Sequence, residues 1–298
     1  MFSQFFGAYL LNEGKVTKEQ LAKALDEKKN TRMRLGVLAI NDGLMTAEQV
    51  EHVNLTQQTV DKLFGDLAVD LGYLKPEDVT ALLAKQPSDY LLLGQTLVNT
   101  GVLSNSEFES AIKGYKSKYS ISDDDISGDD ISGDQSDKLA SLVNEFYHFS
   151  TAENAKIYTN YTTLLFKGLI RFIGDDFTPL EAYVIKKAAA PRIVSQRICG
   201  EYSAYTAIAT GADEYSALAK RFAKEAYVND AEFDDASVGE FLNVCNGLYA
   251  VNESNESGVE LSLIPQQFTK NSSEDLAKDA FCIPVQFTFG EIEIIVSI

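Results

Sequence analysis

The chain has 298 residues, of which 45% are apolar and 23% charged, with no tryptophan and a formal net charge of −18. That length accommodates about two domains, each burying its own core, and the acidity opposes binding to nucleic acid or to an anionic membrane surface. Two histidines and three scattered cysteines (Cys199, Cys245, Cys282) argue against histidine-based catalytic constellations, a disulfide framework and a thiolate metal site.

The first residues, Met1-Phe2-Ser3-Gln4-Phe5-Phe6, lack the basic segment, apolar stretch and cleavage site of a signal peptide. No apolar run approaches the roughly 20 residues that cross a bilayer, so a cytoplasmic protein without membrane insertion is expected. Four tandem units come next. Gly7, Gly36, Gly65 and Gly94 recur every 29 residues, and Gly14, Gly43, Gly72 and Gly101 follow each of them by seven. In each unit an aromatic or leucine (Phe6, Leu35, Phe64, Leu93) precedes the first glycine and a short apolar helix follows it. The second glycine sits where a left-handed C′ residue would close that helix. A polar N-cap then appears: Thr17, Thr46, Lys75 or Ser104. Gln20, Gln49 and Glu107 complete capping boxes with the three hydroxyl caps, while Pro76 suits N1 of the remaining unit. A second, amphipathic helix follows, as in Leu21, Ala24 and Leu25. Residues 1–118 are therefore expected to form an all-helical array of four helix–turn–helix units. His52, in the second unit, and His148 read as ordinary packed or surface imidazoles, since no ligand partner stands at metal spacing.

Residues 119–137 form an acidic Asp/Ser/Gly linker in which Asp-Asp-Ile-Ser-Gly occurs twice, too poor in apolar groups to offset its ordering entropy. Asp123, Asp125, Ser127 and Gly128 match the start of a calcium loop, but Asp130 and Asp134 break the pattern where an apolar residue and a bidentate Glu belong. No metal site is expected. Residues 138–298 then read as α+β. Helices are expected at 138–149, 156–173, 213–227 and 235–251. Strands are expected at 181–190 and 193–198, with a turn at Ala190-Pro191, and at 202–209, 258–264, 281–289 and 291–298. The last of these is strongly β-prone, and an exposed final strand would suit pairing with a second copy. The overall class is α + (α+β), with a mainly antiparallel sheet and helices on one face.

In the helix at 235–251, Glu240 and Asn243 lie three residues apart and share a face, and Gly247 is four further on. Apolar Val238, Phe241, Leu242, Val244 and Cys245 cover the remainder. A carboxylate and an amide on the outer face of a packed helix suit contact with a partner's active site, although any surface helix offers Glu and Asn at this spacing by chance. The stretch Asp235-Ala236-Ser237-Val238-Gly239-Glu240-Phe241-Leu242-Asn243-Val244-Cys245-Asn246-Gly247 resembles the signature helix of the chemotaxis phosphatases CheX and CheC. In that family a Glu, an Asn three residues later and a proline some twenty residues beyond form the motif, and Pro265 fits the proline. Ile198-Cys199-Gly200-Glu201-Tyr202-Ser203-Ala204-Tyr205 is similar to the family's central strand pair, and the resemblance spans roughly residues 155–298.

The resemblance implies hydrolysis of the phosphoaspartate of a CheY-like response regulator. Glu240 would pair with the regulator's lysine and Asn243 would position the attacking water. The chain itself would carry no cofactor, Mg²⁺ being held by the partner receiver. A single motif is closer to CheX, whose members pair through their sheets, so a homodimer is implied. One departure stands out: the family has Asp or Ser four residues before the Glu, and here that place is Ala236.

The repeats also carry a resemblance. Arg34-Leu35-Gly36-Val37-Leu38-Ala39-Ile40-Asn41-Asp42-Gly43-Leu44 is similar to the GspE/MshE N-terminal domains of secretion and pilus ATPases, some of which bind cyclic di-GMP. Only Arg34 keeps the arginine; Phe5, Leu63 and Leu92 replace it in the other units. A dinucleotide with two phosphates needs cationic or amide donors, so a structural or protein-docking array is preferred over a cyclic di-GMP sensor. The expected activity is a phosphatase of the CheX type, with a non-catalytic signalling adaptor as the alternative.

Overall fold

The computed structural model describes residues 2–85, 88–122, 125, 133–149 and 154–298, with the backbone alone for 133–136. The acidic run, and with it the comparison to a calcium loop, lies largely outside the described residues. The chain divides into two compact units, Phe2–Asp130 and Ile131–Ile298. Among the described residues no helix is long and apolar enough to cross a membrane.

The first unit contains α1 (Phe2–Asn12), α2 (Lys18–Lys28), α3 (Leu35–Asn41), α4 (Ala47–Gln57), α5 (Phe64–Asp70), α6 (Pro76–Ala84), α7 (Asp89–Asn99) and α8 (Asn105–Lys118). The two glycine series have different physical causes. Gly14, Gly43, Gly72 and Gly101 all hold φ between +64° and +74°, with open space where a Cβ would stand; backbone conformation selects them. Gly36, Gly65 and Gly94 answer instead to packing. A Cβ at these positions would stand 2.7 Å from Val50, 2.9 Å from Val79 and 1.9 Å from Phe108, each on the next even-numbered helix. Capping boxes close at Thr17/Gln20, Thr46/Gln49 and Ser104/Glu107. At α6 the Asp78 carboxylate accepts from the Lys75 N–H at 2.8 Å, and lysine has no acceptor to return the bond. Phe5, Phe6, Tyr90, Phe108 and Tyr115 are fully buried, each stabilising the unit by about 1.5–3 kcal/mol. The Tyr115 hydroxyl donates to the Phe2 carbonyl at 2.5 Å.

The second unit contains α9 (Gly133–Tyr147), α10 (Ala155–Phe172), β1 (Phe177–Pro179), β2 (Tyr183–Gly200), β3 (Ala204–Thr210), α11 (Ala212–Ala223), a 3₁₀ turn (Lys224–Ala226), α12 (Ala231–Ser257), β4 (Leu261–Leu263), β5 (Gln267–Phe287) and β6 (Gly290–Ser297). All strand pairings are antiparallel, in the order β1-β5-β6-β3-β2-β4, and β5 also pairs with β2. The sheet therefore closes into a ring, β2–β5–β6–β3–β2. Alternation along the strands separates its two faces. One face, including Val194, Ile208, Ile294 and Val285, is buried. Ala188, Ile193, Ala207, Ala209, Ala280, Cys282 and Ile295 form a separate cluster on the other face, in which small residues outnumber the two isoleucines.

Three expectations are corrected here. No turn interrupts β2 at Ala190-Pro191. Pro191 lies opposite Asn271, whose φ is +49°, in a gap of the β2–β5 ladder, and just beyond the end of the β3 pairing at Arg192. Its missing N–H is therefore tolerated. The strand expected at 281–289 begins instead at Gln267 and ends at Phe287, so that β5 has 21 residues. The final strand is not exposed: β6 lies between β3 and β5 and is buried along most of its length. The strands at the ends of the sheet order are β1 and β4, three residues each. The free edge expected to pair two copies is therefore absent from β6.

Candidate functional site

The site is built on α12, whose 27 residues span about 40 Å at 1.5 Å per residue. Glu232 and Asp234 in its first turn favour the positive end of the helix dipole. Gly258, at φ +70°, ends it in left-handed conformation. Val238, Phe241, Leu242 and Cys245 are buried beneath it. Glu240 is exposed and Asn243 half-buried, and the Asn243 Nδ2 lies 3.4 Å from Glu240 Oε2, donating to it. The two expected catalytic side chains are thus adjacent and reachable.

Gly247 lies on the same side of the helix. A Cβ there would only reach ordinary contact, 4.0 Å from Leu263, so internal packing does not require the glycine. Its effect is to leave bare backbone beside Asn243. Gly239 is different, because a Cβ would stand 2.8 Å from the Phe268 ring. Ile264 and Phe268, which flank the site through the Gln196 bond and the Gly239 contact, are 41% and 43% exposed, and Leu248 and Val251 are exposed further along α12.

Pro265 sits where β4 gives way to β5. Ile198 pairs with Leu263 and Ser195 with Gln267, so residues 264–266 face only 196–197. This is a β-bulge opposite Gln196. Ile264 donates its N–H to the Arg197 carbonyl at 2.9 Å and turns its own carbonyl to the Gln196 Nε2 at 3.0 Å. Pro265 has no N–H with which to continue the ladder.

A buried polar group was missed from the sequence. Gln196, Thr206, Asn246 and Tyr161 are all at most 2% exposed. Gln196 Nε2 donates to Asn243 Oδ1 at 2.9 Å. Asn246 Nδ2 donates to Gln196 Oε1 at 2.8 Å and to Thr206 Oγ1 at 2.9 Å. Tyr161 donates its hydroxyl proton to Asn246 Oδ1 at 2.8 Å. Burial holds the Tyr161 hydroxyl far above its ordinary range, so it stays protonated. The available signal was a glutamine inside the apolar run Ile193-Val194-Ser195-Gln196-Arg197-Ile198, at a position that alternation directs into the core.

The neighbours of Ala236 do not replace the acid missing there. Asp235 is held by Arg192 at 2.6 Å and by Lys270 at 2.9 Å, Ser237 is buried, and Ala236 itself is exposed. No group of three or more His, Cys, Asp or Glu able to hold a metal occurs among the described residues. Arg34 is the N-cap of α3 in the first unit. Its backbone N–H donates to Gln95 Oε1 at 3.3 Å, and it lines a cavity of about 270 Å³ with Gly36, Asn54, Gln57, Gln95 and Asn105. The chemistry available at the Glu240–Asn243 pair is one carboxylate and one oriented amide, which suits organising a reaction on another molecule.

No protein-family model matches the chain, and no curated protein does. Similar solved structures include the chemotaxis protein CheX from Desulfovibrio desulfuricans, 16% identical, with 48% of this chain and 98% of that one covered at a TM-score of 0.42. CheX from Vibrio vulnificus is 15% identical over 47% of this chain and 97% of that one, with a TM-score of 0.40. A CheX–CheY–BeF₃–Mg²⁺ complex from Borrelia burgdorferi is 15% identical over 47% and 96%, with a TM-score of 0.39. Scores below 0.5 over less than half of the chain leave the functional reading to rest on this chain's own residues.

Proposed function

We propose that the chain serves chemotaxis or two-component signalling and that its second unit hydrolyses the phosphoaspartate of a CheY-like response regulator. The observation that carries this reading is the Glu240–Asn243 pair, side by side on the outer face of a helix otherwise packed into a core. In the proposed complex Glu240 pairs with the receiver's lysine and Asn243 orients a water on the phosphorus. Water adds to phosphorus, the bond to the aspartyl oxygen breaks, and carboxylate and inorganic phosphate result. Mg²⁺ in the receiver supplies charge neutralisation. The contribution of this chain is proximity and orientation rather than covalent chemistry. Bare backbone at Gly247 and exposed Ile264 and Phe268 suit close docking of a partner at the pair.

Phosphate release from several phosphorylated CheY-like receivers tests this reading. Wild type accelerates release and Asn243→Ala does not; equal, slow release from both removes the enzymatic claim. Exposed Ala236, where the family motif has an acid or serine, favours a second reading as a non-catalytic adaptor. Receiver binding without faster release would select that reading. For the first unit we propose a docking array, with the cavity beside Arg34 as the place where a cyclic di-GMP titration would show heat if the array were a sensor.

A further inference from the structure

Beneath the surface pair, the buried amides have an order that the structure determines from both ends. A backbone carbonyl can only accept, so the Gln196 atom 3.0 Å from the Ile264 carbonyl is its nitrogen. Gln196 therefore turns its oxygen toward Asn246, which must answer with Nδ2. An independent constraint agrees. The Thr206 hydroxyl gives its proton to the Gln196 backbone carbonyl at 3.1 Å, so its oxygen is left to accept, and the Asn246 atom facing it is again Nδ2. Tyr161 then donates to the Asn246 oxygen. On the outer side, the second Gln196 N–H meets Asn243 and requires an acceptor there, Oδ1. The Asn243 carbonyl is thus drawn inward, and its NH₂ is left facing Glu240 and the surface.

We propose that Gln196, held by the bulge carbonyl of Ile264, is the positioning residue of the site, turning Asn243 so that it meets the reacting group with N–H rather than C=O. The catalytic meaning of this assignment rests on the phosphatase reading, whereas the orientation itself does not. An N–H donated to the water oxygen occupies one lone pair and leaves the other to attack phosphorus; donated to a phosphoryl oxygen, it stabilises developing charge. The assignment also gives Pro265 a role through its position, because it follows the residue whose carbonyl sets the order of the amides.

Side-chain amide hydrogen exchange, followed by NMR on the wild-type chain, reads the orientation without any receiver. Gln196 and Asn246 NH₂ groups are expected to exchange slowly and that of Asn243 quickly; an Asn243 NH₂ as protected as that of Gln196 overturns the proposal whether or not the chain is a phosphatase. With phosphorylated receiver, Asn243→Asp still accepts from Gln196 but offers no N–H. Its kcat is expected to fall about a hundredfold, as for Asn243→Ala, and near-wild-type turnover would refute the N–H assignment. Gln196→Met is expected to lower kcat about tenfold with KM unchanged, and to add nothing in the Asn243→Ala background. Equal losses in both backgrounds would make Gln196 merely structural. If Gln196→Met does not fold, the exchange measurement and Asn243→Asp decide. If wild type does not accelerate release, the phosphatase reading fails and exchange alone decides the orientation.

Discussion

The two units use polar side chains in opposite ways. In the helical unit the capping side chains act locally and at the surface: Thr17, Thr46 and Ser104 cap the helix that each precedes, with both partners of the box three residues apart. In the sheet unit Tyr161, Gln196, Thr206 and Asn246 come from four elements, α10, β2, β3 and α12, and are sealed between α12 and the sheet. The local bonds end at the helix they start and specify architecture. The buried ones pass from one element to the next and finish on a surface amide, so they can convey orientation to a site. A polar group contributes to function here through what lies at the end of its chain of partners.

The comparison breaks most visibly at its outer end. Asn243→Ala should remove about a hundredfold of any accelerated phosphate release at a cost of about 1 kcal/mol in unfolding, from the Gln196 N–H left without its acceptor beside solvent; a cost as large as that of Asn246→Ala would make Asn243 a structural residue. Inside, Asn246→Ala strands Gln196 Oε1 and the Tyr161 hydroxyl, and is expected to cost about 2–3 kcal/mol in urea unfolding. Its effect should be strongly non-additive with Gln196→Met, and simple additivity would show that these amides act independently. In the helical unit Gly94→Ala drives a methyl into Phe108 and should cost about 1–3 kcal/mol, with no effect on receiver turnover. Gly101→Ala should cost about 1 kcal/mol through backbone strain. Thr46→Ala and Ser104→Ala should each cost about 1 kcal/mol and sum within error in the double variant, the behaviour expected of separate local devices.

What could be read in the sequence follows the same division. Caps and glycine spacing are contained within a few residues, so Thr17, Gly14 and Gly101 can be interpreted without tertiary information. Helical periodicity placed Glu240 and Asn243 together, and the resemblance of the surrounding stretch, not the spacing, singled the pair out. The passage of β2 through Pro191 was not, because it depends on β3 having ended and β5 being irregular at that point. Residues 267–280 were missed because Ser272, Ser273, Glu274 and Asp275 lack the apolar alternation of a strand, while in the structure they lie on a long, partly solvated ribbon paired with β2. Gln196 carried a weak signal as a polar residue in an apolar run, but its partners depend on how β2 faces α12.

The closed ring of strands has a consequence for the order in which the molecule forms. The backbone hydrogen bonds and caps of each helix in the first unit come from residues close to it in the chain, whereas in the sheet Tyr183 must find Cys282 and Ser195 must find Gln267. Contacts of such long sequence separation form slowly. During synthesis β3 and β5 have no partner between them until β6 emerges, and both present open hydrogen-bonding edges in that interval. A chain halted before Gly290 would carry a finished helical unit and a sheet with two unpaired edges, and would aggregate from its second half alone.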